Sequence, residues 1–300
     1  MEYKKREKPT ELEVLEVLDA RMQLSEKDKQ HLYKLKKGYE GELAFDELTR
    51  NLRCDCLALN DLLLQVGSTT FQIDTLLIAD MLYLFEVKNH EGDFYFENDR
   101  ILTKTNYEIT NPMNQISRSE SLLRQLLQTL SVTTQINSSV VFINPAFTLY
   151  QAPLDKPFIL PTQVNRHMKQ LNSLNSRITK KHKAFADKLV SMHLTESPFK
   201  RLPDYSYGEL RKGVVCRGCG SWNMINKWTN CICMHCNKVV DFEETVLRSI
   251  QEFKLLFPNR KLTTKEIYDW CGGIASLRTF SRVLEKNFNK LGNRRWTYFE

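Results

Sequence analysis

The sequence predicts an α/β protein in three parts: a core whose mixed sheet is flanked by helices, then a cysteine-rich module, then a small helical domain. Three observations predict it. Between Leu35 and Ile143 the apolar spacing reads helix, strands, helix, strand, the order of a layered α/β core. Five of the eight cysteines fall between Cys216 and Cys236. Beyond them Val246, Ile250, Phe253 and Phe257 recur at the spacing of one helix face.

The elements follow in order. Leu12, Leu15 and Leu18 predict a short helix over Thr10 to Leu18, and Leu35, Tyr39, Leu43, Leu48 and Leu52 a longer one, with Glu42 beside its apolar stripe. Leu62 to Val66, Phe71 to Ile78 and Met81 to Lys88 read as strands, the last two joined as a hairpin through Ala79 and Asp80. Phe94 to Leu102 reads as a further strand or hairpin. Asn111 before Pro112 is a helix N-cap followed by proline at the first helical position, opening a helix through Gln115, Leu122, Leu123 and Leu126. Val140 to Ile143 is a short apolar strand. Gln163 to Leu194 is helical and rich in lysine and arginine.

Charge divides the chain. Residues 1–158 carry 18 Lys+Arg against 24 Asp+Glu, and residues 159–300 carry 25 against 12, so the two parts are −6 and +13. A basic second half is suited to a polyanion, and an acidic first half to chemistry that uses carboxylates. Nowhere do about 18 uncharged apolar residues run together, and the charged N-terminus has no apolar stretch behind it. The expectation is a soluble, non-secreted, cytoplasmic protein with no membrane partner. Clustered cysteines then point to metal ligation and not to a disulfide framework.

The most informative segment is Asp74, followed after eleven residues by Glu86, Val87 and Lys88. Alternate side chains of a strand share a face, so Glu86 and Lys88 project together while Val87 turns into the core. Hydrolysing a phosphodiester at neutral pH needs a cation to stabilise phosphoryl charge, carboxylates to hold it and help in deprotonating water. An acid on each of two paired strands with a lysine beside them supplies those parts. Burial of the preceding run Leu82 to Phe85 makes the ionised end of this strand costly, and so a candidate site rather than a solvated surface.

These residues resemble the nuclease-related domain (NERD) group of the PD-(D/E)XK nuclease superfamily. Gly38 to Glu42 matches its Gly-x-x-Gly-Glu helix motif, Gln72 to Asp74 its Gln-Ile-Asp motif, Phe85 to Asn89 its Glu-x-Lys strand, and Asn111 to Gln115 its Asn-Pro-x-x-Gln helix start. The resemblance covers roughly residues 35–150. It implies a restriction-endonuclease-like fold and divalent-cation-dependent hydrolysis of nucleic acid, with Mg²⁺ (or Mn²⁺) as cofactor. By the same resemblance Asp74, Glu86 and the Val87 carbonyl are the cation ligands, Lys88 activates water, and Glu42 and Gln115 support the site. No proline precedes Asp74; its neighbour is Ile73, as in the nuclease-related group. His90 and Glu91, just past Lys88, are weaker candidates, better read as surface residues.

Cys216-Arg217-Gly218-Cys219 and Cys233-Met234-His235-Cys236 are two Cys-x-x-Cys knuckles thirteen residues apart. Each offers two thiolates from one turn, which predicts a zinc ribbon holding one structural Zn²⁺ on Cys216, Cys219, Cys233 and Cys236. Cys231 in place of Cys233 is the alternative, and His235 a further candidate. A closed four-ligand site is structural, so the ribbon's role is as a fold staple or as a contact with nucleic acid or protein, aided by Arg211, Lys212, Arg217 and Lys227.

Thr263 with Glu266 has the capping-box pattern, and Ser276 caps a last helix that turns Phe280, Val283, Leu284 and Phe288 inward. Two helices joined by a turn containing Gly272 and Gly273 are similar to a winged helix-turn-helix. Its outward residues would be Arg278, Thr279, Arg282 and Lys286, with Arg294 and Arg295 in a basic wing over Gly292 to Tyr298. The expected domains are an N-terminal helical extension (1–34), the nuclease-like domain (35–160), a basic helical linker (161–207), the zinc ribbon (208–242) and the winged-helix-like domain (243–300). The function expected is a metal-dependent DNA nuclease. An RNase, and a DNA-binding or regulatory protein on an inactive nuclease scaffold, stay open at this point.

Overall fold

The computed structural model describes residues 2–195, 201–293 and 296–300. Its elements are, in chain order, β1 (Glu2–Lys4), α1 (Thr10–Arg21), α2 (Glu26–Arg50), β2 (Leu57–Val66), β3 (Thr69–Ile78), β4 (Leu82–Lys88), β5 (Gly92–Glu97), β6 (Arg100–Thr103), β7 (Glu108–Ile109), α3 (Pro112–Thr129), β8 (Ile136–Phe142), β9 (Phe147–Tyr150), β10 (Phe158–Ile159), α4 (Pro161–Asn172), α5 (Lys180–Ser191), β11 (Met224–Lys227), β12 (Asn230–Cys233), β13 (Val239–Asp241), α6 (Phe242–Leu256), α7 (Thr264–Trp270), α8 (Leu277–Asn287), β14 (Lys290–Leu291) and β15 (Tyr298–Phe299). They form two compact units. The first is Met1–Pro9 with Tyr33–Lys200, the second Thr10–Leu32 with Arg201–Glu300.

The first unit is built on a mixed sheet of order β1-β2-β3-β4-β8-β10. β2, β3 and β4 are antiparallel neighbours, whereas β8 runs parallel to β4 and β10 parallel to β8. The central strands are buried on both faces, so their sequences read as nearly continuous apolar runs. One face carries Leu59, Leu62, Leu76, Leu82, Leu84 and Val140, and packs with Ile116, Leu123 and Leu127 of α3 and Ala186 and Leu189 of α5. The other carries Ala58, Leu77, Phe85, Val87 and Val141, covered by Phe45 of α2 and by Val164, Met168 and Leu171 of α4. A second sheet, β7-β6-β5-β9, adds Phe94, Ile101, Phe147 and Leu149 to the α3 side.

Several elements differ from the sequence reading for identifiable reasons. The buried face of α2 is Gly41, Phe45, Asp46 and Thr49, and Leu43 is exposed. Gly41 decides this, because a Cβ there would lie 2.5 Å from the Asn89 Cβ, so only a bare backbone can come this close to the end of β4. The short strands β1, β7 and β10 have too few residues to show an alternation, and β9 alternates buried with exposed over only four. The basic stretch after Pro161 is two helices with apolar faces, α4 and α5, and both pack on the first unit.

In the second unit α1, α6, α7 and α8 enclose Val14, Leu18, Val246, Ile250, Phe253, Trp270, Phe280 and Leu284. Arg21 is buried among them with its guanidinium 3.9 Å from the Trp270 ring, donating to the Arg211 carbonyl (2.9 Å) and to Glu252 (2.6 Å). Thr263 and Ser276 accept from the N–H groups of Glu266 and Thr279 and so start α7 and α8. β14 and β15 pair as a hairpin, and Phe299 also bridges to Leu262. Arg294 and Arg295, expected at the tip of a wing, lie outside the described residues. Among the described residues, no helix is long and apolar enough to cross a membrane.

Candidate active site and cysteine cluster

The antiparallel β3–β4 ladder runs from Ile78↔Leu82 to Thr75↔Phe85, and just past its end the chemistry-bearing residues meet. Asp74 turns its carboxylate to the next strand and accepts from the Val87 N–H (2.8 Å). This fixes Asp74 against β4 while Val87 keeps its side chain in the core. Glu86 and Lys88, two residues apart on the opposite face, form an ion pair of 2.6 Å. Glu42 arrives from α2, positioned by the close packing of Gly41 on Asn89 and by the Asn89 amide, which donates to the Lys37 carbonyl (2.7 Å).

Arg6 is a participant that the sequence reading missed. Its side chain is only 1% exposed. The guanidinium donates to Glu42 (2.8 Å), to both oxygens of Asp46 (2.9 and 3.2 Å) and to the Asp74 carbonyl (2.6 Å). It stands in the run Lys4-Lys5-Arg6, which reads as a solvated charge cluster. The sequence carries only a weak signal for it: Glu42 and Asp46 are like charges at i and i+4 flanking Phe45, a repulsion that a neighbouring cation relieves.

Electrostatics separate this cluster from an ordinary surface. Burial pushes the Glu42 carboxyl up to about 8, the Asp74 charge adding to the shift and Arg6 opposing it. Burial, with Asp74 again adding, raises Glu86 to about 7 against the pull of Lys88. Asp74 itself is raised by burial, opposed by Lys88 and by the Val87 N–H. Three carboxyl groups that resist ionising together are a donor set that a divalent cation would satisfy, with the hard oxygens that Mg²⁺ prefers. Each is at present drawn to a separate partner: Asp74 to Val87, Glu86 to Lys88, Glu42 to Arg6. Among the described residues, the four clustered cysteines are the one group of three or more His, Cys, Asp or Glu whose ligand atoms all lie within 4.8 Å of each other.

Residues 37–143 match the family model of the nuclease-related domain. That match contains Glu42, Asp74, Glu86, Lys88 and Gln115, and leaves Arg6 outside it. Mixed α/β structure with a sheet flanked by helices is what the matched segment adopts. Neither the curated proteins nor the solved structures contain a match to the chain. Within the nuclease-related segment Gln115 occupies the first turn of α3, capped by Asn111, and its side chain is exposed; the hydrogen bonds that join the charged residues do not extend to it. His90 packs on Phe94 and Phe147, and burial lowers it to about 4, so it is neutral and held in an aromatic cluster.

In the second unit Cys216, Cys219, Cys233 and Cys236 converge into a group that could hold a metal ion. The sulfurs of Cys216 and Cys236, and those of Cys219 and Cys233, are 3.6 Å apart. A tetrahedron with Zn–S bonds of about 2.3 Å has edges of about 3.8 Å, so the spacing fits zinc. Main-chain N–H groups point at the sulfurs: Gly218 donates to Cys216 (3.3 Å), and the Cys236 amide draws Cys233 down to about 6, favouring thiolate. Cys231 shares a face of β12 with Cys233 but is buried in the apolar core of the second unit. Arg278, Arg282 and Lys286 are exposed on α8, and Lys286 pairs with Glu243 (2.8 Å).

Proposed function

We propose that this chain is a metal-dependent nuclease that hydrolyses phosphodiester bonds of DNA, with a restriction-endonuclease-like core. The observation that carries the reading is the meeting of Asp74, Glu86, Lys88 and Glu42 within the segment that matches the nuclease-related domain. Asp74 and Glu86 would hold Mg²⁺ or Mn²⁺, with the Val87 carbonyl as a further ligand. The bound cation supplies charge stabilisation to the phosphoryl oxygens and acidifies water. Lys88 would orient or activate that water and offset the developing negative charge, and Glu42 would support the site beside Asp74. Gln115, exposed in the first turn of α3, would support the site from that helix.

The second unit, in the same reading, brings nucleic acid to the core. Its four cysteines form a zinc ribbon, and α7 with α8 and the β14–β15 hairpin form a winged helix-turn-helix whose exposed Arg278 and Arg282 face DNA phosphates. Residues 201–300 of this unit carry 17 Lys+Arg against 10 Asp+Glu, a net +7 that supports this polarity, while the remaining +6 of residues 159–300 lies on residues 159–200 of the first unit. The testing experiment incubates the purified chain with labelled duplex DNA, single-stranded DNA and RNA in Mg²⁺, Mn²⁺ or chelator. Cation-dependent cleavage of DNA above RNA is the expected result. Charge reversal of Arg278 and Arg282 should weaken binding and flatten its salt dependence, by roughly one unit of log–log slope for each phosphate that is no longer neutralised.

A further inference from the structure

The first nine residues lie outside the segment that matches the nuclease-related domain, yet they enter its sheet. β1 pairs parallel with β2, Glu2 opposite Ala58 and Lys4 opposite Leu59. The Lys4 ammonium donates to the carbonyls of Asn60 and Asp61 (both 2.8 Å), which fastens the segment beyond its last paired residue. Arg6 is thereby delivered to the interior, where its N–H groups are taken up by Glu42, Asp46 and the Asp74 main chain. The Asp46 carboxylate receives the planar fork of Arg6 and so fixes the guanidinium plane.

We propose that Arg6 is a positioning residue of the candidate nuclease site: clamped by Asp46, it holds one oxygen of Glu42 and the Asp74 backbone in register, so that Glu42 and Asp74 face a common cation. The proposal rests on the nuclease reading for the identity of the site, and on the geometry of Arg6 for its role. A neighbour that orients a ligand without touching the metal is worth about tenfold or more in metal affinity. It also makes the N-terminal segment a working part of the site: a nuclease-related domain cut at its matched boundaries would lack the guanidinium that ties α2 to β3.

The sign of one effect tests this role. By Coulomb's law alone, removing a buried positive charge beside three carboxylates would tighten cation binding. If Arg6 acts by positioning, its removal weakens binding in spite of that gain. The experiment measures Mn²⁺ affinity of the full chain from the disappearance of the free-ion paramagnetic resonance signal. Wild type, Arg6→Lys and Arg6→Met are compared, with the double variant Asp74→Asn/Glu86→Gln defining binding elsewhere. Melting curves and cleavage rates are recorded on the same samples.

Both Arg6 variants should bind Mn²⁺ about tenfold more weakly than wild type, with a single cooperative melting transition retained and with kcat lowered more than KM changes. Arg6→Lys keeps the charge and loses the fork, so it carries the test if Arg6→Met fails to fold. Unchanged or tighter Mn²⁺ binding in a folded Arg6 variant overturns the proposal. A wild type that binds Mn²⁺ and cleaves nothing removes the nuclease reading alone, since the Arg6 shift is still read from affinity. A wild type that binds no Mn²⁺ above the double variant overturns both.

Discussion

The Lys88 ammonium lies 2.6 Å from the Glu86 carboxylate, on the same strand face two residues away. In this arrangement the lysine occupies one of the two Glu86 oxygens and its charge competes with a cation for the carboxylate. Cation binding at Glu86 would weaken the ion pair and free the ammonium to meet water or phosphate. Lys88→Met should consequently bind Mn²⁺ as tightly as wild type or tighter, and yet cleave at least about 10²-fold more slowly, the scale of losing a proton-transfer group. Parallel binding and single-turnover assays check this. Weakened binding with normal cleavage would reverse the role assigned to Lys88.

Gly41 and Gly38 provide a matched pair. A Cβ at Gly41 would stand 2.5 Å from Asn89, whereas nothing lies within 4 Å of one at Gly38. Gly41→Ala should push α2 away from β4, displace Glu42 and lower both thermal stability and cleavage. Gly38→Ala, at a helical position with open space, should be neutral or slightly stabilising, by up to about 1 kcal/mol. Melting temperature and cleavage rate, measured on both variants, distinguish packing from a general intolerance of α2.

Linkage gives a pH prediction. Glu86 is raised to about 7, so in the absence of a divalent cation the folded state binds its proton more tightly than the unfolded chain does. The stability this contributes is fully present below the unfolded value, near 4.5, and is lost as pH rises through about 7. In magnesium-free buffer Glu86→Gln should match wild type near pH 4.5 and become progressively more stable than it towards pH 8. Added Mg²⁺ should close that gap for wild type only. A difference in melting temperature that does not vary with pH would contradict the assignment of Glu86 to a buried, charge-crowded position.

The cysteine cluster is tested by metal content. Purified protein should carry about one zinc per chain, lost in Cys216→Ser or Cys236→Ser because a four-ligand site tolerates loss of a thiolate poorly. Cys231→Ser should keep its zinc, since Cys231 points into the apolar core of the second unit. Zinc retained in Cys233→Ser and lost in Cys231→Ser would identify the other ligand set.

Much of this arrangement is legible in the sequence, and the exceptions have physical causes. The hairpin that brings Asp74 to Val87 shows as two apolar runs around Ala79 and Asp80, and the capped start of α3 shows in Asn111-Pro112. The Cys-x-x-Cys spacing shows directly which four sulfurs can converge. Arg6 did not show, because its burial depends on β1 adding to the sheet edge beside β2, a pairing of three residues with no periodicity of its own. Nor did the assignment of α1 to the second unit, because Val14 and Leu18 meet α6 across more than two hundred residues of chain. Point substitutions at Arg278 and Arg282 therefore test binding without removing α6, against which α1 packs.

The most direct measurement is single-turnover cleavage of a labelled DNA duplex by wild type, Asp74→Asn and Glu86→Gln, purified identically and assayed with and without Mg²⁺ or Mn²⁺. Identical purification matters, since a contaminating nuclease would act equally in all three preparations. The expected result is cation-dependent cleavage by wild type, a loss of at least about 10²-fold in each variant and melting temperatures no lower than wild type in cation-free buffer. Cleavage at wild-type rates in both variants would contradict the placement of the chemistry at Asp74 and Glu86, and absence of cleavage by wild type on DNA and RNA alike would contradict the nuclease reading itself.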